Sequence, residues 1–279
     1  MYKILDKQSL NTSVTRMVID APRVAKKAQA GMFVILRVDE NGERIPLTIA
    51  DYDGDRGTVT IVFQIVGATT HKLNRLNVGD FVRDFVGPLG RPSELDGLKK
   101  VAVVGGGVGC AIAYPVAKAL HAKGAIVHSV IGFRNKDLVI LQDEFKAVSD
   151  RLVLMSDDGS IGDKGLVTDA LKALIDEGNA YDEVIAIGPL VMMKFLCLLT
   201  KQYGIKTVVS MNPIMIDGTG MCGGCRLTVG GQMKFACVDG PDFDGHLIDF
   251  DEAIGRSRMY ADLERHAYEK QCNLLKGGK

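Results

Sequence analysis

Three cysteines lie within sixteen residues, at Cys222, Cys225 and Cys237. A tight Cys-Gly-Gly-Cys pair with a third cysteine downstream offers three thiolates to a metal centre, and the two glycines let loop N–H groups turn toward sulfur. A [2Fe–2S] cluster usually takes four cysteines, so one ligand is missing. Asp217 stands five residues before Cys222, the gap between the first two cysteines of the plant-type C-x4-C-x2-C pattern, and is the candidate fourth ligand. A carboxylate is a harder donor than a thiolate and alters a cluster's potential. Two other readings stay open at this point: a structural zinc ion with one open or carboxylate position, and buried free thiols. Cys110, Cys197 and Cys272 are scattered and read as core or surface thiols.

A second constellation is built from glycine. Val101–Val104 is an apolar run that ends in Gly105-Gly106-Gly107-Val108-Gly109 and leads into a helix-favouring stretch, Ala111–Ala122. Strand, glycine cluster and helix in that order hold a phosphate: glycines admit the pyrophosphate to the backbone, and the helix start offers free N–H groups. The usual dinucleotide fingerprint is not followed. Its third glycine is replaced by Cys110, and the second strand, His128-Ser129-Val130-Ile131-Gly132-Phe133, ends without a ribose-binding acid. Gly105, Gly106, Gly107 and Gly109 therefore mark a variant nicotinamide site, or else a structural turn without a ligand. Gly188-Pro189 at the end of a later strand favours the site, because such a pair leaves a crevice at the strand's carboxyl end. Arg134 follows the second strand; contact with a 2′-phosphate and plain solvation are both open for it, so the sequence does not separate NAD from NADP.

A third set lies upstream. In Arg44-Ile45-Pro46-Leu47-Thr48-Ile49, an arginine beside a small hydroxyl suits a pyrophosphate and the edge of a flavin. Gln64-Ile65-Val66-Gly67-Ala68-Thr69-Thr70 adds a glycine and two hydroxyls suited to phosphate. Taken alone, each is equally an ordinary solvated arginine and a β-turn.

These residues need scaffolds of two kinds. Residues 1–97 read as all-β: short runs at Met32–Val38, Gly57–Val66 and Phe81–Val86 are separated by turn signals, which suggests a small antiparallel barrel. Gly87-Pro88-Leu89-Gly90-Arg91-Pro92 closes it. From 98 to 210 the pattern alternates. Strands at Val101–Val104, Ala125–Ile131, Leu152–Met155, Glu183–Ile187 and Lys206–Ser210 are separated by helical patterns at Ala111–Ala122, Leu138–Val148, Val167–Glu177 and Leu190–Tyr203. That alternation implies a parallel sheet covered on both faces. Residues 211–250 are rich in Gly, Cys, Met and Asp without helical period, and read as a compact loop tied by a metal centre. Residues 251–279 form a polar, helix-favouring tail.

Composition narrows the class. The chain has 279 residues, 47% of them hydrophobic, and Lys+Arg balances Asp+Glu at 34 each. A neutral chain is not expected to bind nucleic acid, which normally selects a basic excess. No apolar run approaches the roughly 18–20 residues of a membrane span, and the N-terminal residues lack a signal-peptide core. The expectation is a soluble, cytoplasmic protein with reduced cysteines.

The order of these segments resembles the ferredoxin–NADP+ reductase superfamily, in the branch whose electron-transfer subunits carry a C-terminal [2Fe–2S] cluster. The resemblance rests on Arg44–Asp51, Gln64–Thr70, Gly87–Arg91, Gly105–Gly109, Asp157–Gly165 and Asp217–Cys237. Within that branch it is similar to the dihydroorotate dehydrogenase electron-transfer subunits. It is more similar to the small subunits of bifurcating NADH-dependent reduced ferredoxin:NADP+ oxidoreductases, because Asp217 stands where the dihydroorotate branch usually has a fourth cysteine. The resemblance implies FAD on the barrel, held by Arg44, Pro46, Leu47, Thr48, Gln64, Val66, Gly67, Thr69, Thr70, Gly87 and Pro88. It implies NAD(H), or NADP(H), at Gly105, Gly106, Gly107, Gly109, Asp158, Gly188 and Pro189. The metal ligands it implies are Asp217, Cys222, Cys225 and Cys237.

Hydride exchange between a nicotinamide and a flavin needs no protein acid or base, so no catalytic residue is nominated. The implied partner is a larger flavoprotein subunit with its own FAD and [4Fe–4S] clusters, forming a heterodimer and serving ferredoxin indirectly. Two alternatives remain: an electron-transfer subunit of an NAD-dependent dihydroorotate dehydrogenase, and a non-redox nucleotide-binding module stabilised by zinc.

Overall fold

The computed structural model describes residues 1–276. The N-terminal part is one antiparallel sheet. Its strands are β1 (Tyr2–Ser9), β2 (Val14–Asp20), β3 (Phe33–Arg37), β4 (Arg44–Asp53), β5 (Thr58–Gln64), β6 (Phe81–Val82) and β7 (Asp84–Leu89), in the order β6-β1-β2-β5-β4-β3-β7. Helices α1 (Pro22–Ala25) and α2 (Ala68–Asn74) lie in its connections. β6 and β7 stand at opposite ends of this order, yet Arg83 alone separates them in the chain. The sheet must therefore curl until its ends meet at that corner, where the Arg83 N–H donates to the carbonyls of Arg37 and Val38. The result is a half-barrel whose inner face buries Met17, Ile19, Val34, Leu36, Ile61 and Phe63.

The second sheet contains β8 (Lys100–Gly106), β9 (Ile126–Phe133), β10 (Arg151–Ser156), β11 (Asp163–Lys164), β12 (Glu183–Ile187) and β13 (Thr207–Ser210), in the order β11-β10-β9-β8-β12-β13. All these pairs are parallel. The crossovers are α3 (Cys110–Ala122), α4 (Gln142–Ala147), α5 (Val167–Asp176) and α6 (Leu190–Gln202). β8 shows why both faces must be covered. Val101 and Val103 pack with Ala113, Val116 and Leu120 of α3, while Ala102 and Val104 pack with Leu171 of α5 and Met193 and Leu196 of α6. Each fully buried branched side chain contributes ~1.5–3 kcal/mol.

Beyond β13 the chain forms a hairpin, β14 (Arg226–Val229) and β15 (Gln232–Phe235), and a short helix, α7 (Ala236–Asp239). Strand β16 (Asp242–Asp244) then adds antiparallel to the open edge of β13. Helices α8 (Phe250–Ser257) and α9 (Ala261–Lys276) end the described chain. Contacts fasten the half-barrel to helix α3 of the parallel sheet and to helix α9 of the tail. A bulge in β4 pairs Ile49 with Ile61 but Asp51 with Thr60, which re-aims Asp51. Asp51 Oδ1 lies 2.8 Å from Lys118 Nζ of α3, an exposed pair worth ~0–1 kcal/mol. At the other end, the Tyr268 ring of α9 packs at a tilt of 58° against His71 of α2, with centroids 5.3 Å apart.

Three expectations are corrected. The helical pattern at Leu138–Val148 is broken. Lys136–Leu138 is a 3-10 turn and α4 starts only at Gln142, because Leu141 takes a left-handed φ of +56°. The run Leu138–Leu141 is apolar at every position, so it carries no helical period. Residues 211–250 are more regular than a bare loop, holding the hairpin, α7 and β16. The polar tail is two helices rather than one, and its last three residues, 277–279, lie outside the described residues.

The buried Phe145 ring of α4 packs edge-on against Tyr114 of α3, with centroids 5.8 Å apart. Phe145→Ala is expected to cost about 3–5 kcal/mol. Urea denaturation followed by circular dichroism would read this, and an unchanged midpoint would contradict the packing.

Candidate functional site

The nucleotide crevice forms where β8 and β12 lie side by side, with Gly105 opposite Ile187. Their connections leave to opposite faces of the sheet, through α3 and α6, which makes this the topological switch point. Two glycines allow the loops to touch. A Cβ on Gly109 would stand 2.6 Å from the Ile187 carbonyl oxygen and 2.7 Å from Gly188 Cα. A Cβ on Gly106 would stand 2.4 Å from Met192 Sδ. The structure thus brings Gly105–Gly109 and Gly188-Pro189 together. Asp158 lies at the carboxyl end of β10, where its Oδ1 accepts the Ser160 N–H at 2.9 Å. The Ser160 hydroxyl chiefly, and that N–H, hold its carboxyl below the usual carboxylate range. Arg134 is exposed beside it. Cys110 is fully buried under the loop, and burial pushes its thiol well up, so it is an inert core thiol.

The upstream set converges on β3. Pro46 and Thr48 of β4 lie opposite Ile35 and Phe33, while Val86 and Leu89 of β7 flank the same two residues on the other side. Gly87 and Pro88 fall between those two β7 residues. The second segment joins from the far side of β4. Gln64 ends β5, opposite Val14. Thr70 Oγ1 accepts the N–H groups of Val66 and Gly67, both at 3.0 Å. Thr69 Oγ1 donates to Glu43, next to Arg44, at 2.6 Å. Arg44 itself reaches the cysteine segment: Nε donates to the Ile216 carbonyl at 2.9 Å and Nη2 to the Asp217 carbonyl at 3.2 Å.

That segment seats directly on the half-barrel. Gly218, at φ +82°, leaves no room for a Cβ, which would meet Ile35 Cγ1 at 2.7 Å and Leu89 Cδ1 at 2.9 Å. The Asp217 carboxylate turns its own loop, Oδ2 accepting from the Thr219 N–H, the Thr219 hydroxyl and the Met221 N–H. Cys222 is exposed, and its sulfur receives the Gly224 N–H at 3.4 Å. That bond first, then the Asp217 N–H, draws its thiol below the ordinary value. Cys225 and Cys237 are buried together, with the Cys237 N–H 3.5 Å from Cys225 Sγ. Burial, then the neighbouring Cys225, pushes the Cys237 thiol up to about 12.

The ligand candidates therefore stand as two pairs, Cys222 with the Asp217 main chain and Cys225 with Cys237. Among the described residues no three His, Cys, Asp or Glu side chains already form a cage at metal-binding separation. The donor chemistry nevertheless fits an iron–sulfur centre: three unpaired thiols, a carboxylate on the same loop, and main-chain N–H groups directed at sulfur. Sequence reasoning missed three arginines. Arg226 Nη1 donates to the Gly223 carbonyl at 3.3 Å, Arg256 Nη2 to that of Gly224 at 3.2 Å, and Arg91 Nε to that of Val238 at 3.0 Å. Only Arg226, adjoining Cys225, had a position that signals the site. Cys197 is a buried thiol that burial pushes to about 12, and Cys272 lies beyond the residues whose side chains are described.

Residues 212–249 match the profile of the iron–sulfur cluster binding domain of dihydroorotate dehydrogenase B. The chain is 48% identical over 270 residues to a Thermotoga maritima protein named as a homologue of the dihydroorotate dehydrogenase B (NAD(+)) electron transfer subunit, covering 97% of this chain and 95% of the relative. It is 32% identical over 235 residues to the electron transfer subunit of Fusobacterium nucleatum, covering 81% of this chain and 89% of the relative. The chain belongs to the dihydroorotate dehydrogenase B electron transfer subunit family. Members are oxidoreductase subunits of the ferredoxin-reductase type. A solved structure of an NADH-dependent reduced ferredoxin–NADP oxidoreductase, described in connection with flavin-based electron bifurcation, contains a chain of the same shape. The TM-score is 0.92 at 47% identity, with 97% of each chain covered. An Amycolatopsis cytochrome P450 reductase, at 21% identity and a TM-score of 0.60, shares the fold. Among the described residues no helix is long and apolar enough to cross a membrane.

Gly109→Ala tests the crevice of this family member. Forcing the loop away from β12 is expected to cost about 1–3 kcal/mol. Calorimetry would show it as a lowered Tm, and a wild-type Tm would mean the two loops do not press together.

Proposed function

We propose that this chain is an electron-transfer flavoprotein subunit that moves electrons between NAD(H) and a larger flavoprotein partner through FAD and a [2Fe–2S] cluster. Residues 1–97 hold FAD, 98–210 hold the nicotinamide and 211–250 hold the cluster, with α8 and α9 in the tail that follows. The observation that carries this reading is the near-complete likeness, over 97% of both chains, to the chain of the bifurcating oxidoreductase. The meeting of the flavin and cysteine sets on β3, and the glycine-lined crevice between β8 and β12, support it.

The cofactors supply the redox chemistry, hydride exchange at the flavin and single electrons at the cluster, while the protein supplies position. Arg44, Pro46, Leu47 and Thr48 line the flavin side, with Gln64, Val66, Gly67, Thr69, Thr70, Gly87 and Pro88 around the phosphates and ring. Two N–H donors of Arg44 are engaged by the Ile216 and Asp217 carbonyls, and its others remain for a diphosphate. Gly105, Gly106, Gly107 and Gly109, with Gly188, Pro189 and Asp158, admit NAD(H), or NADP(H), to the switch point. Asp217, Cys222, Cys225 and Cys237 hold the cluster. No side chain needs to move a proton.

The partner carries its own FAD and [4Fe–4S] clusters and exchanges electrons with ferredoxin and NADP(H), while this chain serves NAD(H). Exposed Ile216, Met221 and Val238 ring the cysteine loop and suit an apolar contact with it. A second reading, an electron-transfer subunit of a dihydroorotate-oxidising enzyme, is favoured by the domain match at residues 212–249. The two separate on the partner: electrons should pass between NAD(H), ferredoxin and NADP(H) in the first, whereas in the second oxidation of dihydroorotate should drive reduction of NAD+.

An anaerobic visible spectrum is the direct test. Flavin bands and a broad iron–sulfur shoulder are expected, both bleaching on addition of NADH. A chain that takes up neither flavin nor iron, or that binds one zinc and stays colourless, would sink the reading. Cys225→Ser is expected to lose most of its iron while keeping flavin, measured by metal analysis and absorbance.

A further inference from the structure

Four arginines hold carbonyl oxygens that flank the cluster ligands: Arg44 at Ile216 and Asp217, Arg226 at Gly223, Arg256 at Gly224, and Arg91 at Val238. At one place the same peptide group is engaged from both ends. Trans peptide planarity sets a carbonyl and the following N–H antiparallel. The Gly223–Gly224 peptide is trans; its oxygen faces the Arg226 guanidinium and its N–H faces Cys222 Sγ at 3.4 Å. The Ile216–Asp217 peptide is also trans, and its oxygen takes Arg44 Nε at 2.9 Å.

Hydrogen bonds in a chain polarise one another. A cation at the oxygen end of a peptide makes its N–H a stronger donor. Hydrogen bonds to cluster sulfurs and positive charge nearby both favour the reduced cluster. Cys222 is the exposed cysteine of the set, so its sulfur gains most from donors fixed by the protein.

We propose that Arg226 raises the reduction potential of the cluster by polarising the peptide that donates to Cys222 Sγ, while Arg44, Arg91 and Arg256 hold the adjoining carbonyls outward. This rests on the cluster reading given above. Arg226 is a positioning residue, acting on the sulfur through the main chain. It opposes the asymmetry that a carboxylate ligand introduces at Asp217.

The test uses the full chain loaded with FAD and iron, and an EPR-monitored redox titration of the cluster. Arg226→Gln is the main variant. At a fixed ambient potential its ratio of reduced to oxidised cluster is expected to fall about tenfold, equal to about 59 mV for a one-electron couple. Arg226→Lys, which keeps a cation, is expected to recover part of that shift, as a purely structural role would not. A fully iron-loaded Arg226→Gln chain with the wild-type potential overturns the proposal. If that variant does not retain iron, the wild-type chain labelled with nitrogen-15 glycine decides. Pulsed EPR of its reduced cluster must then show coupling to a glycine nitrogen, and absence of coupling overturns the proposal. A wild-type chain that takes up no iron is a different failure, which removes the cluster reading and this inference with it.

Discussion

The arrangement depends on one constraint: the segment that carries the cysteines cannot satisfy its own backbone. Residues 211–225 contain no helix or strand, so their N–H and carbonyl groups must find partners elsewhere. The solution divides by polarity. N–H groups turn inward, to the Asp217 carboxylate and to sulfur, while carbonyls turn outward to guanidinium groups. Such an arrangement makes the interior of the loop a place for negative charge before any ion arrives. It also explains why arginine is used four times. A planar fork on a long stem reaches a carbonyl from a distant element and stays charged while doing so.

Two of those arginines come from the half-barrel, Arg44 on β4 and Arg91 just past β7, and the other two from the C-terminal part. The cysteine loop is therefore a joint shared by both halves of the molecule. β3 is the floor of that joint. Ile35 lies between Pro46 and Val86 in the sheet, and its side chain presses on Gly218. Residues suited to a flavin thus flank β3 in the sheet, while the loop suited to a cluster rests on Ile35 and Leu89 beside them. Hydrophobic packing continues across the joint, with Phe33 and Ile35 in one core with Met215, Leu227, Ala236 and Phe250.

Much of this was legible in the sequence where burial and period agree. Val101–Val104, Glu183–Ile187 and Val167–Asp176 declare themselves because a strand buried on both faces is a continuous apolar run and an amphipathic helix repeats at 3.6. The cysteine spacing and the glycine cluster were visible for chemical reasons. What escaped was long-range or too short to carry a pattern. β1 reads YKILDKQS, with little alternation, and β16 is only Asp242–Asp244. Arg91 belongs to the Gly87–Arg91 segment of the resemblance and Arg256 to no such segment, yet both lie far from the cysteines in sequence, and only the fold brings their guanidinium groups to Val238 and Gly224. Leu138–Leu141 shows the opposite case, where a strongly apolar stretch suggested a helix that a left-handed Leu141 interrupts.

Strand β16 has a consequence for how the molecule is made. It closes the edge of β13, yet it is synthesised after the cysteine loop, so that edge stays open until the loop has been made. Until Asp242–Asp244 docks, Thr207–Ser210 presents unpaired backbone groups of the kind that recruit foreign strands. Ser93 Oγ, from the linker after the half-barrel, donates to Asp242 at 2.6 Å and helps to hold that late strand in place. Whatever speeds the ordering of the cysteine loop in a living cell therefore also shortens the time during which the nascent chain can aggregate.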